Sequence, residues 1–243
     1  MRRFSLTKTV VRLYNGGKDL ILPRWCCACD ARLPDRRDLL CLNCWNKMPL
    51  RQGVMAQQEV EALFWGAFPI VQASAVCIFE PKGVSGALIH HIKYRHRKDL
   101  ARSLGRLMGQ RFRDQGIMTD VDLIVPVPLH WRRQCMRGYN QSHEIAKGLA
   151  QVMGIPIAAK AVRRCQNNRS QTKLSHEQRW NNVMGLFALA NGAKGAQALA
   201  GKHVLLVDDV ITTGATLAAL GGLIAREVPG VKISVAAAAR PVF

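Results

Sequence analysis

Two adjacent aspartates, Asp208 and Asp209, follow the apolar run HVLLV in the sequence HVLLVDDVITTGATL, which covers residues 203–217. Carboxylates repel phosphate, so this pair calls for hydroxyl groups or a cation as its partner. The next residues are small, and their hydroxyl and backbone N–H groups can surround a phosphate: Thr212, Thr213, Gly214, Ala215 and Thr216. Diol acceptors beside a phosphate cradle predict a site for a ribose 5-phosphate group.

Four cysteines form two pairs, Cys26-x2-Cys29 and Cys41-x2-Cys44, with eleven residues between them. Each pair can place two sulfurs about 2.3 Å from one ion, and four thiolates suit tetrahedral Zn²⁺. Because the protein would fill all four positions, the predicted zinc is structural. A redox dithiol and an iron–sulfur cluster are the alternatives. Cys27 is a spare thiol, since its spacing to Cys29 is tighter than such a pair needs.

A first basic segment, PVPLHWRRQCMRGYNQ, covers residues 126–141 and follows an apolar strand. Pro126 and Pro128 stiffen the turn after that strand. Arg137 with Gly138 is the best candidate for an anion contact, because a guanidinium group binds phosphate through two hydrogen bonds. The alternative is a surface loop whose arginines are solvated.

A second basic segment, RRCQNNRSQTKLSHEQRWNNV, covers residues 163–183 and has no clear helical or strand pattern. Long loops of this kind are uncommon unless they are functional, and the segment predicts a mobile lid over a phosphorylated substrate. A disordered basic tract is the alternative. The segment HHIKYRHRK, residues 90–98, predicts a polar helix face that could also follow a nucleic-acid backbone.

The elements that position these residues alternate between strand and helix patterns from about residue 71. Strands are predicted over residues 73–80, 122–129, 203–210 and 231–239, and helices within 84–112, 141–154 and 216–228. This alternation predicts an α/β domain with a parallel sheet covered by helices on both faces. Ligands bind such sheets at the carboxyl ends of the strands, beside helix N-termini, where the acidic pair is expected.

The chain of 243 residues therefore divides into three predicted parts. Residues 1–52 hold an N-terminal segment and the four-cysteine module, residues 53–70 form a connector, and residues 71–243 form the α/β domain. No stretch has the apolar length of a membrane span, and the broken apolar start is not that of a secreted protein. Cysteines clustered in this way indicate a reducing, cytoplasmic compartment.

The net charge of +19 comes from 35 basic and 16 acidic residues and points to polyanionic partners. Residues 90–183 hold 18 of the basic residues and only six of the acidic ones. Nucleic acid, phosphorylated metabolites and an anionic membrane surface all fit this charge.

The sequence VLLVDDVITTGAT resembles the phosphoribosyl-pyrophosphate (PRPP) binding motif of type I phosphoribosyltransferases. The four-cysteine module, HHIKYRHRKDLARSLG, LIVPVPLHWRRQCMRGYNQSHEIA, RSQTKLSHEQRWNNVMGLF and the acidic loop also resemble, in this order, segments of the ComF family of competence and DNA-utilisation proteins. Cys27 and the tyrosine in RGYNQ are minor departures. The resemblance implies a parallel-sheet type I phosphoribosyltransferase fold behind a small zinc-binding module.

By this resemblance PRPP binds together with Mg²⁺, and Asp208 and Asp209 are catalytic. They would orient the ribose diol and offset positive charge that develops on the ribose. The loop of residues 212–216 completes the PRPP site. Residues of the pyrophosphate and lid segments are implied as well: Lys93, Tyr94, Pro126, Pro128, Arg137, Gly138, Asn140, Gln141, Arg164, Gln171, Ser175, Arg179 and Asn182.

Three functions are compatible with these features. One is a Mg²⁺-dependent phosphoribosyltransferase that acts on an unidentified acceptor during the uptake or utilisation of external DNA, together with other DNA-uptake proteins. Another is an accessory protein that binds single-stranded DNA and keeps the PRPP site for regulation or as a remnant. The third is a PRPP-sensing regulator, which has less support because no helix-turn-helix pattern is evident.

Overall fold

The structure is a computed structural model that describes residues 25–33, 40–165, 185–190 and 192–242. The chain divides into two compact units, residues 1–48 and 49–243. Among the described helices, none combines the length and the apolar character that crossing a bilayer requires.

The first unit contains one short helix, α1 (Leu42–Asn46), within its described residues. Cys41 caps the N-terminus of α1, and its Sγ accepts a hydrogen bond from the backbone N–H of Cys44 at 3.5 Å. Ahead of this helix, Trp25 and Arg32 form an isolated antiparallel bridge that closes a tight turn. The first cysteine pair therefore lies in a turn and the second at the start of a helix, and local hydrogen bonds stabilise both.

The second unit alternates strands and helices. Its described strands are β1 (Ile70–Ile78), β2 (Leu123–Pro126), β3 (Val162–Arg164), β4 (Phe187–Leu189), β5 (His203–Val210) and β6 (Lys232–Arg240). Its described helices are α2 (Val54–Glu61), α3 (Val84–Tyr94), α4 (Lys98–Gln115), α5 (Trp131–Arg137), α6 (Gln141–Met153), α7 (Ala193–Leu199) and α8 (Ala215–Glu227), and a 3-10 turn spans Ala62–Phe64.

Four strands form a parallel sheet in the order β1-β6-β5-β2. The central strands β5 and β6 are apolar along most of their length and buried, as expected for strands covered on both faces. Strands β3 and β4 form a separate antiparallel pair. The predicted parallel α/β architecture is confirmed, and β5 brings its carboxyl end between those of β2 and β6.

Helices α4 and α6 pack with their backbones almost in contact. A Cβ atom on Gly105 would lie 1.9 Å from the carbonyl oxygen of Ile145, and one on Gly148 would lie 1.8 Å from that of Arg102. Only glycine fits at these two positions. An ion pair between Arg102 and Glu144 spans the same crossing. The crossing fixes α6, whose N-terminus contributes to the site described below.

The structure differs from the sequence interpretation of residues 126–141 as a loop, because residues 131–137 form α5. This helix buries none of its residues, so no apolar pattern could indicate it. Local caps define it instead: the side chain of His130 accepts from the backbone N–H of Arg132, and Gly138 ends the helix with a φ of +68°.

The segment predicted as a connector also contains a helix, α2, followed by the 3-10 turn. Within it Val60, Phe64 and Phe68 are buried in the core of the second unit. The predicted domain boundaries remain predictions.

Candidate site at the carboxyl edge of the sheet

Asp208 and Asp209 lie near the carboxyl end of β5, next to the ends of two other strands. Asp208 is in register with Ala237 of β6, and Val207 just before it is in register with Pro126, the last residue of β2. Asp208 is partly exposed, whereas Asp209 is buried. The two carboxylates therefore occupy the edge of a parallel sheet where ligands of such sheets bind.

Asp208 is held by α6 and by its own neighbour. Its Oδ1 accepts hydrogen bonds from the Ser142 hydroxyl and from the backbone N–H of Asp209, both at 2.8 Å. Burial and the adjacent Asp209 charge raise the pKa of Asp208 to about 7, although these hydrogen bonds and the charge of Lys93 act in the opposite direction. Asp208 therefore keeps its proton to a higher pH than an ordinary aspartate does.

Asp209 has a different partner, because Lys93 at the end of α3 places its Nζ 3.2 Å from the Asp209 Oδ2 atom. Both side chains are largely shielded from solvent. Lys93 was expected in the site only from the family resemblance, and the structure places it against the acidic pair. One ammonium group beside two carboxylates leaves an excess of acceptor capacity for hydroxyls or a cation.

The predicted phosphate loop turns directly from β5 into α8. Thr212 and Thr213 are exposed, and Gly214 caps the helix with a φ of +76°, a conformation that favours glycine. A Cβ atom on Gly214 would also lie 3.3 Å from Leu63 Cβ and Phe64 Cε1. Backbone conformation and packing therefore both require glycine here.

The N-terminus of α8 follows this turn. Ala215 and Thr216 form its first residues, and the Thr213 hydroxyl accepts from the Ala215 backbone N–H at 3.5 Å. Backbone N–H groups at the start of a helix, together with the helix dipole, favour an anion. The loop thus has the chemistry that a phosphate cradle needs.

Cationic groups lie on the other side of Asp208. Burial and the charge of Arg133 lower the pKa of Arg164, whereas Asp208 acts to raise it, so Arg164 lies within electrostatic reach of both Arg133 and Asp208. Burial and the charges of Arg132, Arg164 and Arg133 lower the pKa of His130, in that order. The turn after β2, with Pro126 at its start, therefore faces Arg164 of β3.

Arg137 and Gly138 lie at the end of α5, beside the turn between α3 and α4. The guanidinium carbon of Arg137 lies 5.7 Å from the centre of the exposed Tyr94 ring. Nδ1 of His96 donates to the Arg137 carbonyl at 2.9 Å. Arg137 thus packs on Tyr94, and Arg164 of β3 lies within electrostatic reach of Asp208.

Asn140 connects β2 to α6. Its Nδ2 donates to the Val127 carbonyl at 2.9 Å, and its Oδ1 accepts from the backbone N–H groups of Ser142 at 3.0 Å and of His143 at 3.4 Å. Gln141 beside it is buried, and its Nε2 has no hydrogen-bond partner among the described residues. Asn140 therefore sets the position of Ser142, and hence that of its bond to Asp208.

Sequence reasoning missed Ser142, and Arg137 as an anion contact remains a prediction. Ser142 follows Asn140-Gln141 in a helix start, but only the crossing of α6 past β5 brings its hydroxyl to Asp208. Pro128 is partly exposed in the turn after β2. The other predicted lid residues, Gln171, Ser175, Arg179 and Asn182, lie outside the described residues.

The four predicted cysteine ligands come together in the first unit. The sulfurs of Cys26, Cys29, Cys41 and Cys44 all lie within 4.8 Å of one another, and those of Cys29 and Cys41 are 3.5 Å apart. Sulfurs around a tetrahedral zinc would be about 3.8 Å apart, given bonds of about 2.3 Å. The cluster is therefore compatible with a metal site.

The electrostatics of the cluster agree with a cation. Burial and the neighbouring thiols of Cys29, Cys41 and Cys26 raise the pKa of Cys44 when no metal compensates. Four thiolates at this distance repel one another unless a metal ion lies between them. Cys27 is buried and stands outside the cluster.

Residues 139–241 match the family model described as phosphoribosyl transferase domain, which agrees with the parallel sheet. The chain is, more particularly, a homologue of proteins named for competence and DNA utilisation. DNA utilization protein YhgH of Salmonella typhimurium is 34% identical over 144 residues, which cover 58% of this chain and 60% of that protein. Competence protein F of Haemophilus influenzae is 34% identical over 142 residues, covering 57% and 61%.

The matched region thus spans about 60% of the length of these relatives. The resemblance to competence and DNA-utilisation proteins is confirmed at this level. Among solved structures, glutamine PRPP amidotransferase from B. subtilis aligns with 60% of this chain and 30% of its own, with 19% identity and a TM-score of 0.40.

Proposed function

We propose that the second unit binds PRPP with Mg²⁺ at the carboxyl edge of its sheet. The observation that carries the proposal is the position of Asp208 and Asp209 at the end of β5, directly before a glycine turn into α8. Carboxylate acceptors and a phosphate cradle then follow one another within a single strand end and turn, as a ligand that carries both a diol and a phosphate requires.

Each group of PRPP has a matching partner in this proposal. Asp208 and Asp209 accept hydrogen bonds from the ribose diol, and the loop of residues 212–216 with the N-terminus of α8 binds the 5-phosphate. The pyrophosphate lies on the turn after β2 and near Arg133 and Arg164. Ser142 and Lys93 hold the two aspartates in position.

Mg²⁺ fits the acidic pair, because it prefers oxygen ligands and keeps several waters when one or two carboxylates bind it. Asp208 and Asp209 are the residues that would hold the Mg²⁺ ion, through the ribose hydroxyls or through water. When bound it neutralises charge on the pyrophosphate leaving group. The residues of the chain supply positioning and charge stabilisation at C1 of the ribose.

The proposed chemistry is phosphoribosyl transfer to an acceptor that is not yet identified. The bond between C1 and the pyrophosphate oxygen breaks, the two aspartates offset positive charge on the ribose, and the acceptor bonds to C1. Because the relatives are named for competence and DNA utilisation, the proposed role is in the uptake or use of external DNA.

A screen for pyrophosphate release from PRPP tests this chemistry. Free nucleobases, nucleosides and single-stranded oligonucleotides serve as acceptors, with the wild type, the double variant Asp208→Asn/Asp209→Asn and the control Asp114→Asn. Asp114 is exposed near the end of α4, at the opposite edge of the sheet. Acceptor-dependent release that the double variant alone loses supports an enzyme, whereas no release with any acceptor contradicts one.

A second candidate function, binding of single-stranded DNA, is favoured by an exposed aromatic surface made of Tyr94, Trp131, Arg132 and Arg137. The two rings are 60% and 63% exposed. Arg132 lies 5.2 Å from the centre of the Trp131 ring, as Arg137 lies over Tyr94. Exposed rings stacked with arginines are typical of surfaces that bind bases and phosphates of a single strand.

Fluorescence anisotropy of a labelled oligothymidylate tests this candidate. The affinity is expected to fall steeply as salt rises, and the variant Trp131→Ala/Tyr94→Ala should bind roughly tenfold or more weakly than wild type. Trp65→Ala is the matched control, because Trp65 is equally exposed but lies just before β1. A flat salt response, or equal loss in the control, removes this candidate.

A further inference from the structure

A second cationic cluster lies outside the proposed PRPP site. This arginine cluster comprises Arg51, Arg111 and Arg240, with Glu59 of α2 as its acidic member. Arg51 Nη2 pairs with Glu59 Oε2, and Arg240 Nη1 lies 3.7 Å from the same oxygen. Arg111 Nη2 donates to the Arg51 carbonyl at 3.3 Å. Two guanidinium groups, those of Arg51 and Arg240, therefore share a single carboxylate, and Arg111 holds the backbone of Arg51.

The arginines are fixed, but their hydrogen bonds are incomplete. The side chains of Arg51 and Arg240 are 5% and 15% exposed, and the Nε atoms of both are buried without a hydrogen-bond partner among the described residues. The Glu59 side chain is 56% exposed, so the carboxylate is the member that can leave. Buried donors without acceptors are costly, and a ligand that supplies acceptors removes this cost.

We propose that the arginine cluster binds a phosphate group, as inorganic phosphate or as the phosphate of a nucleotide, which takes the place of Glu59. A guanidinium group offers its Nε and one Nη as a fork to two oxygens of one anion, and Glu59 contacts only Nη atoms. A phosphate has enough oxygens to occupy the forks of both Arg51 and Arg240. Its second negative charge also suits the one positive charge of Arg51 and Arg240 that Glu59 leaves uncompensated.

The cluster is joined to the predicted phosphate loop through one short segment. Helix α2, which carries Glu59, continues into the 3-10 turn, where Leu63 and Phe64 lie against Gly214. Displacement of Glu59 would act on the side chains that support this loop. We therefore expect phosphate at the cluster to change the affinity of the protein for PRPP. This expectation rests on the proposed function, whereas phosphate binding by the cluster does not.

Calorimetric titration with inorganic phosphate tests the cluster. Two of the variants are expected to change the affinity for phosphate in opposite directions. Glu59→Gln removes the competing anion and should tighten phosphate binding about tenfold, the effect of one charge-assisted hydrogen bond. Arg240→Gln should weaken binding by a similar factor. Glu227→Gln, an equal charge change at the exposed end of α8, should match the wild type.

Phosphate bound only at the loop of residues 212–216 would not respond in opposite directions to Glu59→Gln and Arg240→Gln. Unchanged affinity in both variants therefore overturns the proposal. If Arg240→Gln does not fold by circular dichroism, the tightening in Glu59→Gln relative to Glu227→Gln decides the question alone. Absence of PRPP binding by every protein would contradict the proposed function but leave the phosphate result standing.

Discussion

At the scale of single residues, the two adjacent aspartates are chemically different because their partners differ. Asp209 has an ammonium partner in Lys93, whereas Asp208 has the neutral hydroxyl of Ser142 and a backbone N–H group. The carboxyl with the neutral partners is the one whose pKa rises to about 7. One member of the pair can thus change its protonation near neutral pH, which makes the site sensitive to pH.

The raised pKa of Asp208 predicts a pH-dependent stability. Since its ordinary value is 3.8, the protonated form stabilises the folded state fully below about pH 4, and this contribution is lost as pH rises through 7. Asp208→Asn removes the titrating group. Urea unfolding between pH 5 and pH 8 should therefore show a loss of unfolding free energy in the wild type that the variant lacks. Asp114→Asn should follow the wild type, and parallel curves for all three proteins would contradict the assignment.

At the scale of elements, the crossing of α4 and α6 positions Ser142, and Gly105 and Gly148 permit that crossing. Gly148→Ala puts a methyl group into the Arg102 carbonyl and should lower the unfolding free energy by about 3 kcal/mol. Gly222→Ala is the matched control, because a Cβ atom there would lie 3.5 Å from the nearest carbonyl oxygen. It should stabilise α8 by about 0.5–1 kcal/mol. Equal effects in urea unfolding would show that the crossing is not as close as described.

The four-cysteine module gives a second prediction at this scale. We expect one zinc per chain, held by Cys26, Cys29, Cys41 and Cys44, and a module that loses its structure when a chelator removes the metal. Hydrogen exchange should accelerate in residues 25–48 and stay slow in the core of the second unit, whose apolar residues form their own cluster. Cys29→Ser should lose the metal, whereas Cys27→Ser should keep it. Full metal content after Cys29→Ser would be the contrary result.

The sequence predicts elements well where burial imposes a pattern, as in the apolar runs of β5 and β6. It does not predict α5, because this helix is defined by His130 and Gly138 rather than by buried residues. The acidic pair and its loop are local in sequence, so their place at the strand end follows from β5 alone. Ser142 is not local, since tertiary packing decides which hydroxyl meets Asp208.

At the scale of the whole molecule, the net charge of the chain is +19, yet two adjacent aspartates lie at the carboxyl ends of the strands of its parallel sheet. The surplus of positive charge favours phosphorylated ligands, and the acidic pair favours a diol or a cation among them. These features together support PRPP as the ligand more directly than they identify the acceptor.

The most direct measurement is calorimetric titration of the zinc-loaded protein with PRPP in the presence of Mg²⁺. We expect saturable binding at one site per chain, weakened roughly a hundredfold or more in Asp208→Asn/Asp209→Asn, which loses two charge-assisted acceptors. Asp114→Asn should bind as the wild type does. No saturable heat from the wild type, or an unchanged affinity in the double variant, would contradict the assignment of the acidic pair to the ribose of PRPP.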